Sequence, residues 1–574
     1  MTSHGMLIIV EGRMYPRRFF HDRMPSCTQC SSAFDILPED SAFYTRIDVP
    51  EPRMCPDCRL QRRLCERNTR SLYYRKCDLS GRQIVSQHHS SQPFPVYGLD
   101  EWLSDRWDPL SYGRAFDFSR SFFEQFKELL NAVPHMALFN TPGTMENSDY
   151  NNCTGYLKNC YLLSESDLCE DCEYSNLLKK SKDVVDCSVC YSCEQCYECV
   201  DCVDCQTLRY SQDCKQCADS WFLKDCHNCR DCIGCMNQRN KQYMIANVQY
   251  SKDEYERLKD QSALNTRSGI ESVAKTCLAF FSTQPHRALL IENGENVSGD
   301  RIYTSRNAYR CFDVQDVEDC RYCQRISLTC KSCMDFNSWG QQSELVYQCS
   351  ATGDRVYNSK FCSTCITVTN AEYCFECIHC SDIFGCVGLK NKKFCIFNVQ
   401  YSEQEYRALR GKIVAHMKAS CEYGEYFPME LCAFAYNETF APDLFPMTKE
   451  DVLARGWRWK DEESTGERYI GKEIVLPDDV APVKDDLCEQ ILLCRETKKP
   501  YRIIKQELAF YRKMNLPVPV LCPDERHRRR VAKRNPYTLL ERACGKCGKQ
   551  TQTTHTENRA KIVFCEKCYL DTVY

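Results

Sequence analysis

Between Cys187 and Cys205 the chain reads CSVCYSCEQCYECVDCVDC, seven cysteines at an unbroken spacing of three. An α-helix advances about 100° per residue, so each three-residue step drifts by about 60° and the thiols scatter around the whole helix. A straight strand throws odd-spaced side chains to opposite faces. Period three suits a chain that bends regularly, with short straight sides and frequent corners. That is the pattern of a narrow solenoid, or of a thiolate–metal cluster.

At 574 residues the chain has room for several domains with real cores, so its 46 cysteines are not needed to staple a mini-protein. The one early apolar run, Leu7 to Val10, is too short for a signal-peptide core or a membrane span. The expectation is a soluble, cytoplasmic protein with reduced thiols and no membrane partner. On that reading the Asn-x-Ser/Thr matches at Asn152, Asn296 and Asn437 are chance. Net charge is -4; two four-cysteine zinc sites would take it to about -8, against a protein tuned as a whole to coat DNA.

Two duplications organise the chain. A shift of 467 lays AFYTRIDVPEPRMCPDCR (Ala42–Arg59) over AFYRKMNLPVPVLCPDER (Ala509–Arg526) without a gap, so the termini are copies of one module. A shift of 151 brings Cys160, Cys169 and Cys172 onto Cys311, Cys320 and Cys323, and Cys214, Cys226 and Cys235 onto Cys365, Cys377 and Cys386. Both middle copies end on a capping box, Ser251 with Glu254 and Ser402 with Glu405, which opens a helix to close the repeat. The layout is an N-terminal paired zinc-ribbon module (1–110), a linker (111–150), two cysteine-rich units (151–265 and 266–418), a mixed connecting domain (419–487) and a C-terminal paired zinc-ribbon module (488–574). In the linker Ser121 and Glu124 open a helix, reaching about Leu130, that is expected to cap a solenoid end. In the connecting domain Thr448 and Asp451 start a short helix that Gly456 ends. The fold class is mostly β with short helices: two solenoid-like units in tandem between duplicated, treble-clef-like zinc ribbons.

Cys27-x2-Cys30 with Cys55-x2-Cys58, 24 residues on, and Cys544-x2-Cys547 with Cys565-x2-Cys568, 17 residues on, are two-knuckle patterns that give zinc its four soft ligands. The two knuckles of a set are expected on facing hairpin turns. Four thiolates leave no open position, so the sites read as structural. Each module has lost its other site. In the second copy Thr497 stands where Cys30 does and Glu525 where Cys58 does; in the first, Cys77 is kept but Ser80, Gly98 and Glu101 replace the rest. The expectation is two structural zinc ions, not four.

After Cys58, CRLQRRLCERNTR reads as a helix with Arg59, Arg63 and Arg67 on one stripe and Arg62 beside it. The second copy repeats it as Arg526, Arg529, Arg530 and Arg534. Arginine forks match phosphate oxygens, so these helices are candidate contacts for RNA or a ribonucleoprotein. The other reading is a solvated face, or pairing with acids across the module interface. The His88–His89 pair and His527 read as isolated surface residues.

In the middle, Asp-Cys recurs at Asp171, Asp186, Asp201, Asp213 and Asp225, always at multiples of three. Coils this short enclose a narrow bore that cysteine fits. In the second unit Cys217 and Cys232 give way to Val368 and Ile383 while the frame persists, a core replacement rather than a ligand's. A parallel β-solenoid with a thiol-filled interior is therefore favoured over a multinuclear metal cluster, with links between coils through disulfides third.

The strings CPDCRLQRRLCERN, DRWDPLSYGRAFDFSRSFFEQF, CIGCMNQRNKQY and FCEKCY resemble an uncharacterised family of zinc-ribbon-bearing, cysteine-rich proteins of reduced-genome candidate-phylum bacteria. The resemblance runs over nearly the whole chain and implies no activity; Glu525 departs from the knuckle cysteine the family tends to have there. With no phosphate loop, His-Glu-x-x-His or nucleophile elbow, and no small-molecule substrate suggested, the expectation is a non-catalytic zinc-binding scaffold or adaptor. Its expected partners are RNA, a ribonucleoprotein or proteins along the solenoid. The alternative is a thiol-based metal or redox buffer.

Overall fold

The computed structural model describes residues 24–461 and 474–574, with the backbone of a short antiparallel hairpin, Leu7–Val10 on Arg13–Pro16. The remainder of the N-terminal stretch, and residues 462–473 of the connecting domain, lie outside the described residues.

From Cys153 to Asp231 every third residue is left-handed, with φ between 49° and 58°, and the series continues through Gly234, Asn237, Asn240 and Tyr243. Each left-handed residue is a corner. Four corners close a turn of twelve residues, shown by the parallel pairings Asn176↔Ser188↔Val200 and Leu178↔Cys190↔Cys202. One side is thus a bridging residue, a corner residue and an inward residue. This explains the Asp-Cys dipeptide: the aspartate takes the corner, where Asp and Asn tolerate left-handed backbone best, and the cysteine after it points into the bore. Corner Asn and Asp also stack from turn to turn, Asn147 on Asn159 at 3.1 Å and Asn159 on Asp171 at 3.0 Å.

The bore holds one side chain per side, most of them small. Cys187, Cys190, Cys196, Cys199, Cys202 and Cys214 are all fully buried there, interleaved with Leu178, Leu208 and serines. Bore thiols donate to the carbonyl two residues before them, as Cys202 does to Val200 at 3.4 Å and Cys172 to Glu170 at 3.2 Å; Cys330, which follows a paired corner, reaches Ser327 three residues back at 3.6 Å. Bore serines make the same bond (Ser175 to Glu173, 2.8 Å) and also accept the N–H of the next turn, from Cys187 at 2.9 Å. None of the 46 cysteines is in a disulfide. Val368 and Ile383 sit fully buried in the bore of the second unit, as a core reading requires.

The second unit departs from the strict frame. At Leu328–Thr329, Gln341–Gln342 and Asp354–Arg355 the corner is two left-handed residues instead of one. There the turn lengthens to thirteen residues (Lys331↔Glu344↔Tyr357) before returning to twelve at Tyr357↔Thr369. Three single insertions restore the length of one three-residue side, so the cysteines realign at a shift of 151 although the coil has slipped by a side. The persistence of the frame read from sequence is corrected accordingly.

Both units close on an antiparallel hairpin, Met244↔Gln249 and Cys395↔Gln400, followed by the capping-box helices Lys252–Gln261 and Glu403–Ala419. The linker helix, Phe122–Ala132 behind its Ser121 cap, does not cap an end. It lies along the flank of the second unit, Phe122 against Tyr373, Phe384 and Phe397, because its apolar stripe meets an aromatic column there. Gly385 gives it room: a Cβ there would lie 2.9 Å from Phe397 and 3.2 Å from Phe122. Gly234, at the equivalent corner of the first unit, makes the same room for Cys277 of the helix Arg267–Phe281. The short helix Lys449–Ala454 forms as expected behind Thr448.

The terminal modules obey the shift of 467 element by element. Helices Pro38–Arg46 and Pro56–Leu64 answer to Lys505–Met514 and Pro523–Val531, and the hairpin Tyr73–Lys76 with Gln83–Ser86 answers to Leu540–Ala543 with Gln550–Thr553. Each module is stitched into the body by a parallel pair, Val96–Tyr97 with His135–Met136 and Val563–Phe564 with His286–Arg287.

Candidate metal centres

Cys27 and Cys30 lie on a tight knuckle, where Ser31 N–H donates to the Cys27 carbonyl at 2.9 Å. Cys55 caps the helix Pro56–Leu64 and Cys58 stands in its first turn. The C-terminal set repeats this, with Cys565 capping the helix Glu566–Val573. The second pair of each set therefore comes from a helix start, the treble-clef arrangement, rather than from a second hairpin turn. The positive helix end favours thiolate there. Hydrogen bonding from Cys58 draws the Cys55 thiol down to about 5. At Cys544 burial pushes upward, but the N–H groups of Cys547 and Cys565 outweigh it and bring the thiol to about 6.

The sulfur atoms of Cys27, Cys30, Cys55 and Cys58 all lie within 4.8 Å of one another, as do those of Cys544, Cys547, Cys565 and Cys568. A tetrahedral ion with bonds of about 2.3 Å to sulfur spaces its ligands about 3.8 Å apart. Cys30 to Cys55 and Cys547 to Cys565 are each 3.8 Å. Both sets fit one soft or borderline divalent cation.

The two lost sites are rebuilt around arginine. Glu101 accepts from Ser80 at 3.0 Å and from Arg82 at 3.0 Å, while Gly98 N–H donates to the surviving Cys77 sulfur at 3.4 Å. In the other module Glu525 takes Arg528 at 2.7 Å and Arg529 at 3.0 Å, and Thr497 meets Cys522 at 3.7 Å. Those hydrogen bonds, Arg528's first, hold Glu525 down to about 2. A guanidinium thus supplies the positive charge that a metal ion would have brought.

The arginine helices face inward, and most of the residues read as candidate nucleic-acid contacts lie in internal ion pairs. Arg59 and Arg63 share the buried Asp335 of the second unit, at 2.7 and 3.4 Å, and Arg63 donates to Asn337 at 2.5 Å. Arg526 and Arg530 share the buried Asp186 of the first unit, at 2.6 and 2.7 Å, and Arg526 reaches Glu507 at 3.1 Å. Arg67 pairs with Glu165 of the first unit; Arg534 spans Asp201 of the first and Asp313 of the second, at 3.0 and 2.6 Å. The head of the chain is pinned mainly to the second unit and the tail to the first. Arg62 is half-buried under the Tyr426 carbonyl, and Arg529 is paired with Glu525 and Glu496. Sequence shows the stripe of charge, and the coil acids that claim most of it are corner residues 98 to 344 positions away.

A third set of ligand atoms within 4.8 Å comprises His88, His135 and Glu376, all buried. His88 is 1% exposed, packed on Phe94 and Phe434, and His527 is buried beside Asp443 at 3.5 Å, so neither is the surface residue expected. Among the described residues these three sets are the only groupings of three or more such atoms, and no bore thiol belongs to one. Reading the two shifts together would have found the histidines: His88 falls on His555 at 467, and His135 falls on His286 at 151.

Compared with known proteins, the chain matches no protein-family model and no curated protein. Fold and sites together define a cysteine-bored β-solenoid clasped by two four-cysteine modules.

Cys27→Ser and Cys544→Ser should each remove one metal equivalent from the purified protein, and Cys77→Ser, Cys494→Ser and Cys522→Ser none, by elemental analysis. Asp335→Ala strands two buried guanidiniums and should cost about 3–5 kcal/mol in denaturant unfolding, and replacing Arg59, Arg63 and Asp335 together by apolar residues should recover most of that loss.

Proposed function

We propose that the protein is a non-catalytic zinc-binding scaffold: a solenoid spacer whose chain ends are folded back and locked across it by two structural zinc modules. One observation carries this reading. Each arginine helix begins at the four-cysteine set or its remnant, and is buried against a carboxylate of the opposite unit. A cation at the N-terminal set would fix the direction of the helix that carries Arg59 and Arg63, so metal binding and clasp closure are one event. Zinc suits four thiolates in a closed tetrahedron, where no redox or substrate position is needed.

With most of the stripe in internal ion pairs, the scaffold reading is stronger without RNA than with it. Arg528 and Arg529, the outermost of the C-terminal helix, are the residues through which an RNA-gripping version would work. Protein partners along the coil fit the same scaffold. Among the described residues no helix is long and apolar enough to cross a membrane. Unbridged thiols throughout suit a reducing compartment.

The buffer alternative is separated by counting thiols that react quickly in the native state. The scaffold confines them to the cysteines that are not buried: Cys30, Cys153, Cys421, Cys488, Cys547 and Cys565, three of them metal ligands. Mass spectrometry of native protein after brief alkylation should find no more than this set modified, with the bore cysteines reacting after unfolding. Rapid modification of the Cys187–Cys205 run in folded protein would instead favour buffering.

A further inference from the structure

We propose that His88, His135 and Glu376 bind a divalent first-row cation through nitrogen and oxygen, a third metal centre of a different kind from the cysteine sets. The proposal stands apart from the scaffold reading and adds a site to it.

Three distant elements deliver the ligands: the chain after the first module's hairpin, the strand that stitches that module to the body, and a corner of the second unit. Their ligand atoms lie within 4.8 Å of one another. Neither ring nitrogen of His88 has a hydrogen-bond partner, nor has Nδ1 of His135, and all three atoms are buried. The other nitrogen of His135, Nε2, donates to the Leu130 carbonyl at 2.8 Å, which leaves Nδ1 with its lone pair facing Glu376 at 3.7 Å. That backbone bond is the outer contact by which proteins orient a metal-binding imidazole. Glu376 is likewise held, its Oε2 accepting the Met136 N–H at 3.1 Å, and Oε1 is turned to the histidines.

The duplication supplies an internal control. Shifts of 467 and 151 carry His88 to His555, His135 to His286 and Glu376 to Asp225. The second histidine pair meets in the same way, with rings 5.1 Å apart. Its carboxylate is one methylene shorter and already taken, by Arg239 at 2.9 Å and Tyr569 at 2.6 Å. The first copy has Lys390 and Trp102 at those two places, and Lys390 is turned away to the Trp102 carbonyl at 2.9 Å. So Glu376 has neither competitor. This is the pattern of the cysteine sites: one copy keeps the ligands and the other has arginine on the acid.

Two imidazoles and one carboxylate select a borderline cation such as Zn²⁺ or Fe²⁺ and leave a coordination position open. His88 and Glu376 also line a cavity whose wall combines Asn68, Thr69, Gln87 and Thr364 with the rings of Phe139, Phe375 and Phe434, space in which a water or a small oxygen donor could complete the coordination.

Native mass spectrometry of the full chain reconstituted with excess Zn²⁺ should count three ions, and Glu376→Gln should count two while keeping the thiolate-to-cobalt absorption of both cysteine sets after Co²⁺ loading. Two ions in the unaltered protein, or three in Glu376→Gln, would overturn the proposal. If Glu376→Gln does not fold, Co²⁺-loaded unaltered protein decides: a cobalt spectrum with a nitrogen–oxygen component beside the thiolate bands supports the site, and thiolate bands alone contradict it.

Discussion

A backbone that turns a left-handed corner at every third residue sets the terms for everything else in this molecule. Such corners cost most side chains about 1–2 kcal/mol each, and the coil offsets them with a parallel hydrogen bond to the next turn on each side. The square cross-section leaves the bore one side chain per side. Cysteine meets that demand because it is small, readily buried and able to donate to the carbonyl two residues back, as Cys202 and Cys172 do. Serine is the closest substitute and is used in the same places. Leucine, valine and isoleucine take other bore positions, as at Leu178, Leu208, Val368 and Ile383. The sulfur count is thus a consequence of cross-section, and the thiols arranged to take a metal are those outside the coil.

The second theme is exchange of acid partners. Arg59 and Arg63 close on Asp335, and Arg526 and Arg530 on Asp186, each pair of guanidiniums sharing one buried carboxylate. Buried pairs of this kind add little net stability over apolar packing but penalise any arrangement that leaves one member alone. They specify which coil each end of the chain must find. Where one copy lacks the cysteine set, Arg82, Arg528 and Arg529 sit on the acids that stand in for cysteine, Glu101 and Glu525, so a guanidinium occupies the place of the cation.

Much of this was legible in the chain itself. Period three excludes ordinary helix and strand, the cysteine pairs announce their sets, and Ser251, Glu254, Ser402 and Glu405 mark the closing helices. Three things were hidden, each for a physical reason. The direction of Arg59 and Arg63 depends on Asp335, and that of Arg526 and Arg530 on Asp186, and no local pattern links residues so far apart. The paired corners at Leu328, Gln341 and Asp354 add up to one whole side, so the later cysteines fall back into step and conceal the slip. The burial of His88 required knowing that the strand at His135 pairs with the module, a contact between distant segments that spacing along the chain does not reveal.

The account holds that the coil sustains itself and that metal orders only what is clasped onto it. Hydrogen exchange with and without a chelator tests this directly. Removal of metal should release protection along Pro56–Leu64 and at the Cys544 module while amides between Cys160 and Met244 stay protected; loss of protection in that coil together with the ends would mean that its sulfurs depend on metal too, and would contradict the account.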